Sequence, residues 1–265
     1  MTVATEQPRE AGITSYDDVV DAYNLTILKE IGDWSLDGTG DLVTTEDGEP
    51  QHGDIAYSGL FRLVQMWRYS EPHLRYLFTT VNDMLSQRLA LDDDLNAVGE
   101  KVHDEIMRGH RMPFSGAFGA ALHDVCDRQA AAVFGAGIYA GSLMLMLSTV
   151  LLRLRDDIQG KDQWTTVGPF FNGHSVGAII EAGANGFRHA DEWAKTRPPT
   201  TQQKRSQDII EGALQGRPPP DEGSPGACVE LLAVLSGGAF EGLASNVFAF
   251  AHNLAAEARS KAHPA

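Results

Sequence analysis

The feature that most constrains this chain is an uncharged run of residues 130–152, AAAVFGAGIYAGSLMLMLSTVLL, which begins after Gln129 and ends at Leu152. About 20 apolar residues are enough to cross a bilayer as a helix. Gly137 and Gly141 also have the small-xxx-small spacing that lets two helices approach closely. Other features favour a buried helix in a protein core. Glycines, Ser142, Ser148 and Thr149 dilute the hydrophobicity. The flanks carry both signs of charge, Asp127 and Arg128 before the run and Arg153, Arg155, Asp156 and Asp157 after it, with no strong positive bias on one side. No second stretch of this quality occurs. A helix apolar on every side belongs in the middle of a larger helical domain, so we expect a single bundle of about eight helices around residues 129–152 and no membrane span.

With 265 residues the chain can bury a large core. Its hydrophobic content of 43% and charged content of 22% are those of an ordinary globular protein. A formal charge of -15 argues against broad electrostatic binding of duplex nucleic acid, which needs clustered Lys and Arg. Cys126 and Cys228 lie far apart on apolar helical patterns and read as buried free thiols in a reducing compartment. Residues 1–12 have no basic region followed by an apolar stretch, so they read as a loose tail and the protein as cytoplasmic.

From residue 13 to about 260 the pattern is that of one all-α domain. Ser15-Tyr-Asp-Asp18 resembles a capping box and leads into Val19, Val20, Tyr23, Ile27, Leu28 and Ile31, so a first helix is expected to run to about Gly32. Residues 33–53 form a long acidic loop with hairpin chemistry around Glu46-Asp-Gly48. Asp54 caps a second helix, Pro72 is expected to start a third ending near Leu91, and Asp92-Asp-Asp94 a fourth, closed by Gly109-His-Arg-Met-Pro113. A fifth begins near Ala117 and leads into the central run, with Gly135 as a candidate kink. A further helix covers about Gly173 to Thr196. Another follows Pro198-Pro199, residues 217–226 form a stiff Pro-rich linker, and one or two helices broken at Gly237-Gly238 close the domain.

Residues 176–194, VGAIIEAGANGFRHADEWA, carry the most chemistry. At about 100° per residue, Val176, Ile179, Ile180, Gly183, Phe187, Ala190 and Ala194 share one face. Glu181, Asn185, Arg188, His189 and Glu192 share the opposite one, and Trp193 adjoins it. A solvated face with ordinary i,i+4 pairs would look the same. Gly177, Gly183 and Gly186 weigh against that reading, because each costs roughly 1 kcal/mol against Ala in a helix unless something approaches closely. Trp164 and the Phe170-Phe171 pair are near enough in sequence to wall a cleft.

Asn185-x-x-Arg188-His189 resembles the Asn, Arg and His elements of HEPN-type proteins, a family of helical ribonucleases and RNA-binding modules of toxin–antitoxin and phage-defence systems. The resemblance spans about 20 residues and departs from the usual pattern in having Arg188 and His189 adjacent. It implies metal-independent RNA cleavage without a cofactor. His189 would move the proton, Arg188 would stabilise the phosphorane and Asn185 would orient the histidine or the phosphate. Glu192 would hold Arg188, with Glu181 and Trp193 supporting. Lys195, Arg197, Lys204 and Arg205 would add local positive charge. It also implies RNA, a cognate protein and a second copy of the chain as partners. Arg68 and His73 repeat the family spacing but lack the Asn. Two alternatives remain from the residues alone: a metal-binding bundle using Glu100-x-x-His103 with Glu105 and His110 nearby, and a non-catalytic helical interaction protein.

Overall fold

The computed structural model describes residues 14–30, 35, 39, 41–51, 53–109, 117–195, 198–215 and 226–262. The fold is all-α. Among the described residues it comprises eight α-helices, one short 3-10 helix and one two-stranded hairpin. Residues 1–12, expected to be a loose tail, most of residues 31–40, residues 110–116 and nearly all of the expected Pro-rich linker lie outside the described residues.

Helix α1, Tyr16–Ala22, is capped by Ser15, whose Oγ accepts from the Asp18 amide at 3.1 Å. It ends ten residues before the expected Gly32. Asn24 takes a left-handed φ of 49° and a 3-10 helix, Thr26–Lys29, follows. The break lets Leu25, Ile27 and Leu28 all enter the core; a straight helix would spread them round its surface. The hairpin expected near Glu46 is present. The Thr45 amide donates to the Glu49 carbonyl at 2.8 Å, and Gly48 turns the chain at φ 80°. Its tip is tied to the bundle by an ion pair between Asp47 and Arg153.

Three helices were expected between residues 54 and 107, and the chain forms one, α2 (Ile55–Met107, 53 residues). At 1.5 Å per residue it is about 80 Å long. Asp54 caps it, accepting from the amides of Ala56 at 2.8 Å and Tyr57 at 3.3 Å. Pro72 normally breaks a helix because it removes one backbone donor. Here side chains bridge the site. Buried Glu71 accepts from Trp67 Nε1 at 3.2 Å and from Arg75 Nε at 2.9 Å, one turn on either side. Asp92 sits in mid-helix, where it accepts from Gln129 of the neighbouring helix.

That neighbour, α3 (Ala117–Asp157), passes Gly135 without a break. It runs antiparallel to α2: Gly59 meets Ile158, the Met84 sulfur fills the space a Cβ on Gly135 would occupy, and Asp92 meets Gln129. Only the second half of α3 is central. Ala140, Leu143, Met144, Leu147, Leu151 and Leu154 are all at most 1% exposed, whereas Val133, Phe134 and Ile138 are 42%, 62% and 37% exposed. The expectation that the whole run 129–152 is enclosed is therefore corrected. Its first part belongs to a two-helix arm with the distal part of α2, in which Leu91 is the only buried residue after Val81. Leu122–Asp157 is, by length and composition, the one single helix among the described residues that could cross a membrane.

The remaining elements wrap the core half of α3. They are α4 (Val176–Arg188), α5 (Ala190–Lys195), α6 (Thr201–Ala213), α7 (Gly226–Ser236) and α8 (Phe240–Ala262). The break at Gly237-Gly238 is real, with φ values of 58° and 91°. Cys228 is buried, as expected, and its thiol is pushed up to about 12 by burial. Cys126, on the arm, is exposed and corrects the expectation of a second buried thiol.

Candidate functional site

The helix expected from Gly173 to Thr196 is three elements. Residues 170–175 form a hairpin, β1 (Phe170–Phe171) against β2 (His174–Ser175). Asn172 and Gly173 turn it with φ values of 50° and 85°, the backbone that two-residue hairpin loops require. Ser175 then launches α4. Its Oγ donates to the Trp164 carbonyl at 2.7 Å and accepts from the Ala178 amide at 3.3 Å. Helix α4 is packed on most of its circumference, with Val176, Ile179, Ile180, Ala182 and Ala184 all buried. It stops at Arg188, where His189 takes φ -112° and ψ 16°, and α5 starts one residue later.

The six residues singled out from the sequence fall into three places. Glu181 accepts from Trp164 Nε1 at 2.8 Å and faces Arg155 at 3.9 Å, while the Arg155 guanidinium lies 5.3 Å from the Trp164 ring centre. It therefore anchors Trp164, which is buried in the core. Arg188 is exposed and makes no ion pair with a described residue. Asn185, His189, Glu192 and Trp193 come together around one small groove of about 140 Å3.

His189 Nδ1 lies 3.0 Å from Glu192 Oε2. Glu192 is thus paired with the histidine, where the sequence reading had it holding Arg188. A carboxylate can only accept, so Nδ1 carries the hydrogen and Nε2 of the neutral ring is the acceptor. The backbone fixes this pair in place: the His189 amide donates to the Asn185 carbonyl at 3.0 Å and the Trp193 amide to the His189 carbonyl at 2.8 Å. The opposite wall is the first turn of α6, supplied by Thr200, Gln202 and Gln203. Thr200 caps that helix by accepting from the Gln203 amide at 3.2 Å, and Gln203 Nε2 donates to the Trp193 carbonyl at 3.4 Å. Sequence reasoning recognised the helix start after Pro198-Pro199 but not that it completes this groove. The contact spans the 196–197 segment and leaves no periodic signal.

Other candidates have structural duties. Arg68 donates to the Thr14 carbonyl at 2.7 Å and to Gln65 at 2.9 Å, which ties Thr14 to α2. Glu100, His103 and Glu105 lie on the arm, and His110 and Arg197 lie outside the described residues. No group of three or more His, Cys, Asp or Glu side chains that could hold a metal ion occurs among the described residues.

The three α4 glycines fit protein side chains. A Cβ on Gly177 would sit 2.4 Å from Phe250, one on Gly183 would sit 3.1 Å from Leu231, and one on Gly186 would be 3.4 Å from Ile210. Compared with protein-family models, with curated proteins and with solved structures, the chain matches none.

Proposed function

We propose that this chain is an RNA-directed protein of HEPN-like type that cleaves RNA without a metal ion, with His189 as the proton-transfer group. The observation that carries this reading is the His189–Glu192 pair at 3.0 Å, set at the mouth of a groove that also presents Asn185 and Trp193. Glu192 orients the imidazole, the role a carboxylate plays beside any general-base histidine.

In the proposed step His189 Nε2 removes the proton of a ribose 2′-hydroxyl, and the 2′-oxygen forms a bond to the adjacent phosphorus. The bond from phosphorus to the 5′-oxygen breaks, and that oxygen takes a proton from water. The products are a 2′,3′-cyclic phosphate and a 5′-hydroxyl. Arg188, which makes no ion pair with a described residue, supplies the charge that stabilises the crowded phosphorus. Trp193 offers a stacking face for a base, the common device for single-stranded RNA. By the same resemblance, a defence or toxin–antitoxin setting, a neutralising protein partner and a second copy of the chain go with this activity.

The test is an RNA cleavage assay with EDTA present, on total RNA and tRNA. Wild type should cleave, and His189→Ala should be slower by about a hundredfold or more, the usual scale of general-base loss. Arg188→Ala should be similarly impaired, and Glu192→Gln intermediate. An inert wild type, or a His189→Ala variant as active as wild type, would overturn the proposal. One observation favours a second reading, a non-catalytic interaction protein: the arm exposes Leu89, Ile106, Met107 and Phe134 at 65%, 57%, 74% and 62%. An inert wild type would move the weight to that surface.

A further inference from the structure

The first turn of α6 separates two grooves. Thr200, Gln202 and Gln203 face His189, whereas Thr201, Lys204 and Arg205 face a larger groove of about 400 Å3 on the other side. The far wall of this second groove is His174, Ser175 and Ala178, from β2 and the first turn of α4. This groove thus lies between the flank of α6 and the buried start of α4, where Ser175 already accepts from the Ala178 amide.

The charge of this groove comes from its side chains. Lys204 and Arg205 are exposed and make no ion pair with a described residue. Arginines 62, 75, 153 and 155 are all paired with carboxylates. Asp208 is the one carboxylate in the lining, and the two cations outnumber it. His174 lines the same wall with its ring packed against Gly212 of α6. A groove lined by two exposed cations against one carboxylate is suited to phosphate.

We propose that this groove binds a phosphate of the RNA strand whose neighbouring nucleotides reach His189, a reading that rests on the function proposed above. The geometry of α6 links the two sites. The strand would cross the first turn of one helix, roughly 10 Å, a span that a short stretch of single strand covers. Lys204 and Arg205 would hold the backbone, while Trp193 and Asn185 meet the nucleotide at the smaller groove.

The experiment measures binding apart from cleavage. A fluorescently labelled 2′-O-methyl oligonucleotide lacks the 2′-hydroxyl and stays intact, so its anisotropy on titration with the full chain reads affinity alone. The double variant Lys204→Gln/Arg205→Gln should bind about tenfold or more weakly at low salt. Its slope of log K against log salt should flatten by about 1.4, the loss of two single-strand phosphate contacts. Arg88→Gln/Lys101→Gln, which removes the same charge from the arm, should bind like wild type.

Equal affinity and slope in wild type and the Lys204/Arg205 variant would overturn the proposal, as would equal weakening by the arm variant. Inorganic phosphate that binds through Lys204 and Arg205 while the oligonucleotide does not bind would make the groove a small-anion site, which also overturns it. The two proposals fail separately. Oligonucleotide binding lost in the double variant, with a wild type inert on RNA, would remove the cleavage reaction and keep the groove. A wild type that cleaves RNA, with the double variant binding normally, would do the reverse.

Discussion

At the scale of single residues, the glycines of α4 show how one sequence signal can have two causes. Three glycines in a 13-residue helix imply close approach by something, and the sequence alone cannot say whether that is a ligand or a side chain. At Gly177 it is the rings of Phe250 and Trp164, both in the core, at 2.4 and 3.0 Å from an added Cβ. At Gly186 the nearest atoms are 3.4 and 3.6 Å away, ordinary contact. Gly177→Ala should therefore cost about 1–3 kcal/mol through overpacking, whereas Gly186→Ala should be neutral or stabilising by up to about 1 kcal/mol through helix propensity. Urea denaturation midpoints of the two variants should move in different directions; equal losses at both would refute the distinction. Capping residues were legible for the same local reason: Ser15 and Asp54 bond amides within three residues of themselves. The partner of Glu192 was not, because Arg188 and His189 are both within one turn of it and only the break in the helix at His189 decides between them.

At the scale of elements, apolar spacing marked where helices lie better than where they stop. Pro72 and Asp92-Asp-Asp94 carry strong local start signals, yet α2 runs through both. Local preferences of about 3 kcal/mol or less lose to the bonds that Glu71 and Asp92 make. The two halves of the α2–α3 pair should differ in stability. The arm is held by few buried residues, Leu91, Val125 and Ala132 among them, whereas residues 143–154 are enclosed by α2, α4 and α7. Amides of residues 95–107 should exchange with deuterium at least about a hundredfold faster than those of 143–154, because the arm can open without unfolding the core. Mass-spectrometric exchange on the intact protein reads this directly, and matching rates in the two segments would show the arm and core to be one cooperative unit.

For the molecule as a whole, burial and ion pairing set the pH range of stability. On the acid side, burial lowers His252 from its ordinary 6.5. The bonds from Arg259 and Arg75 lower Glu30 and Glu241 from 4.5. Each of these groups binds protons more readily unfolded, so stability falls as pH drops below about 6.5 and again below about 4.5. On the alkaline side, burial raises Cys228 from 9.0 to about 12 and raises Tyr16 and Tyr23 above 10.0. These groups bind protons more readily folded, so stability is full below about 9 and is lost as pH rises beyond it. Urea midpoints should form a plateau between about pH 6.5 and 9 and fall on both sides; a midpoint unchanged from about pH 9 to 11 would contradict the buried thiol and phenols.

The amino-acid sequence by itself determined the all-α class, the acidic hairpin, the main helical segments and the polar stretch around His189, because each follows from interactions within a few residues. Only the tertiary structure decided that α2 is one helix, that the first part of the apolar run lies on an arm with Val133, Phe134 and Ile138 exposed, and that Glu181 serves Trp164. It also brought α6 across from His189 and opened the Lys204–Arg205 groove. Those outcomes depend on which distant side chains meet, and contacts between residues far apart in the chain leave no period or spacing to read.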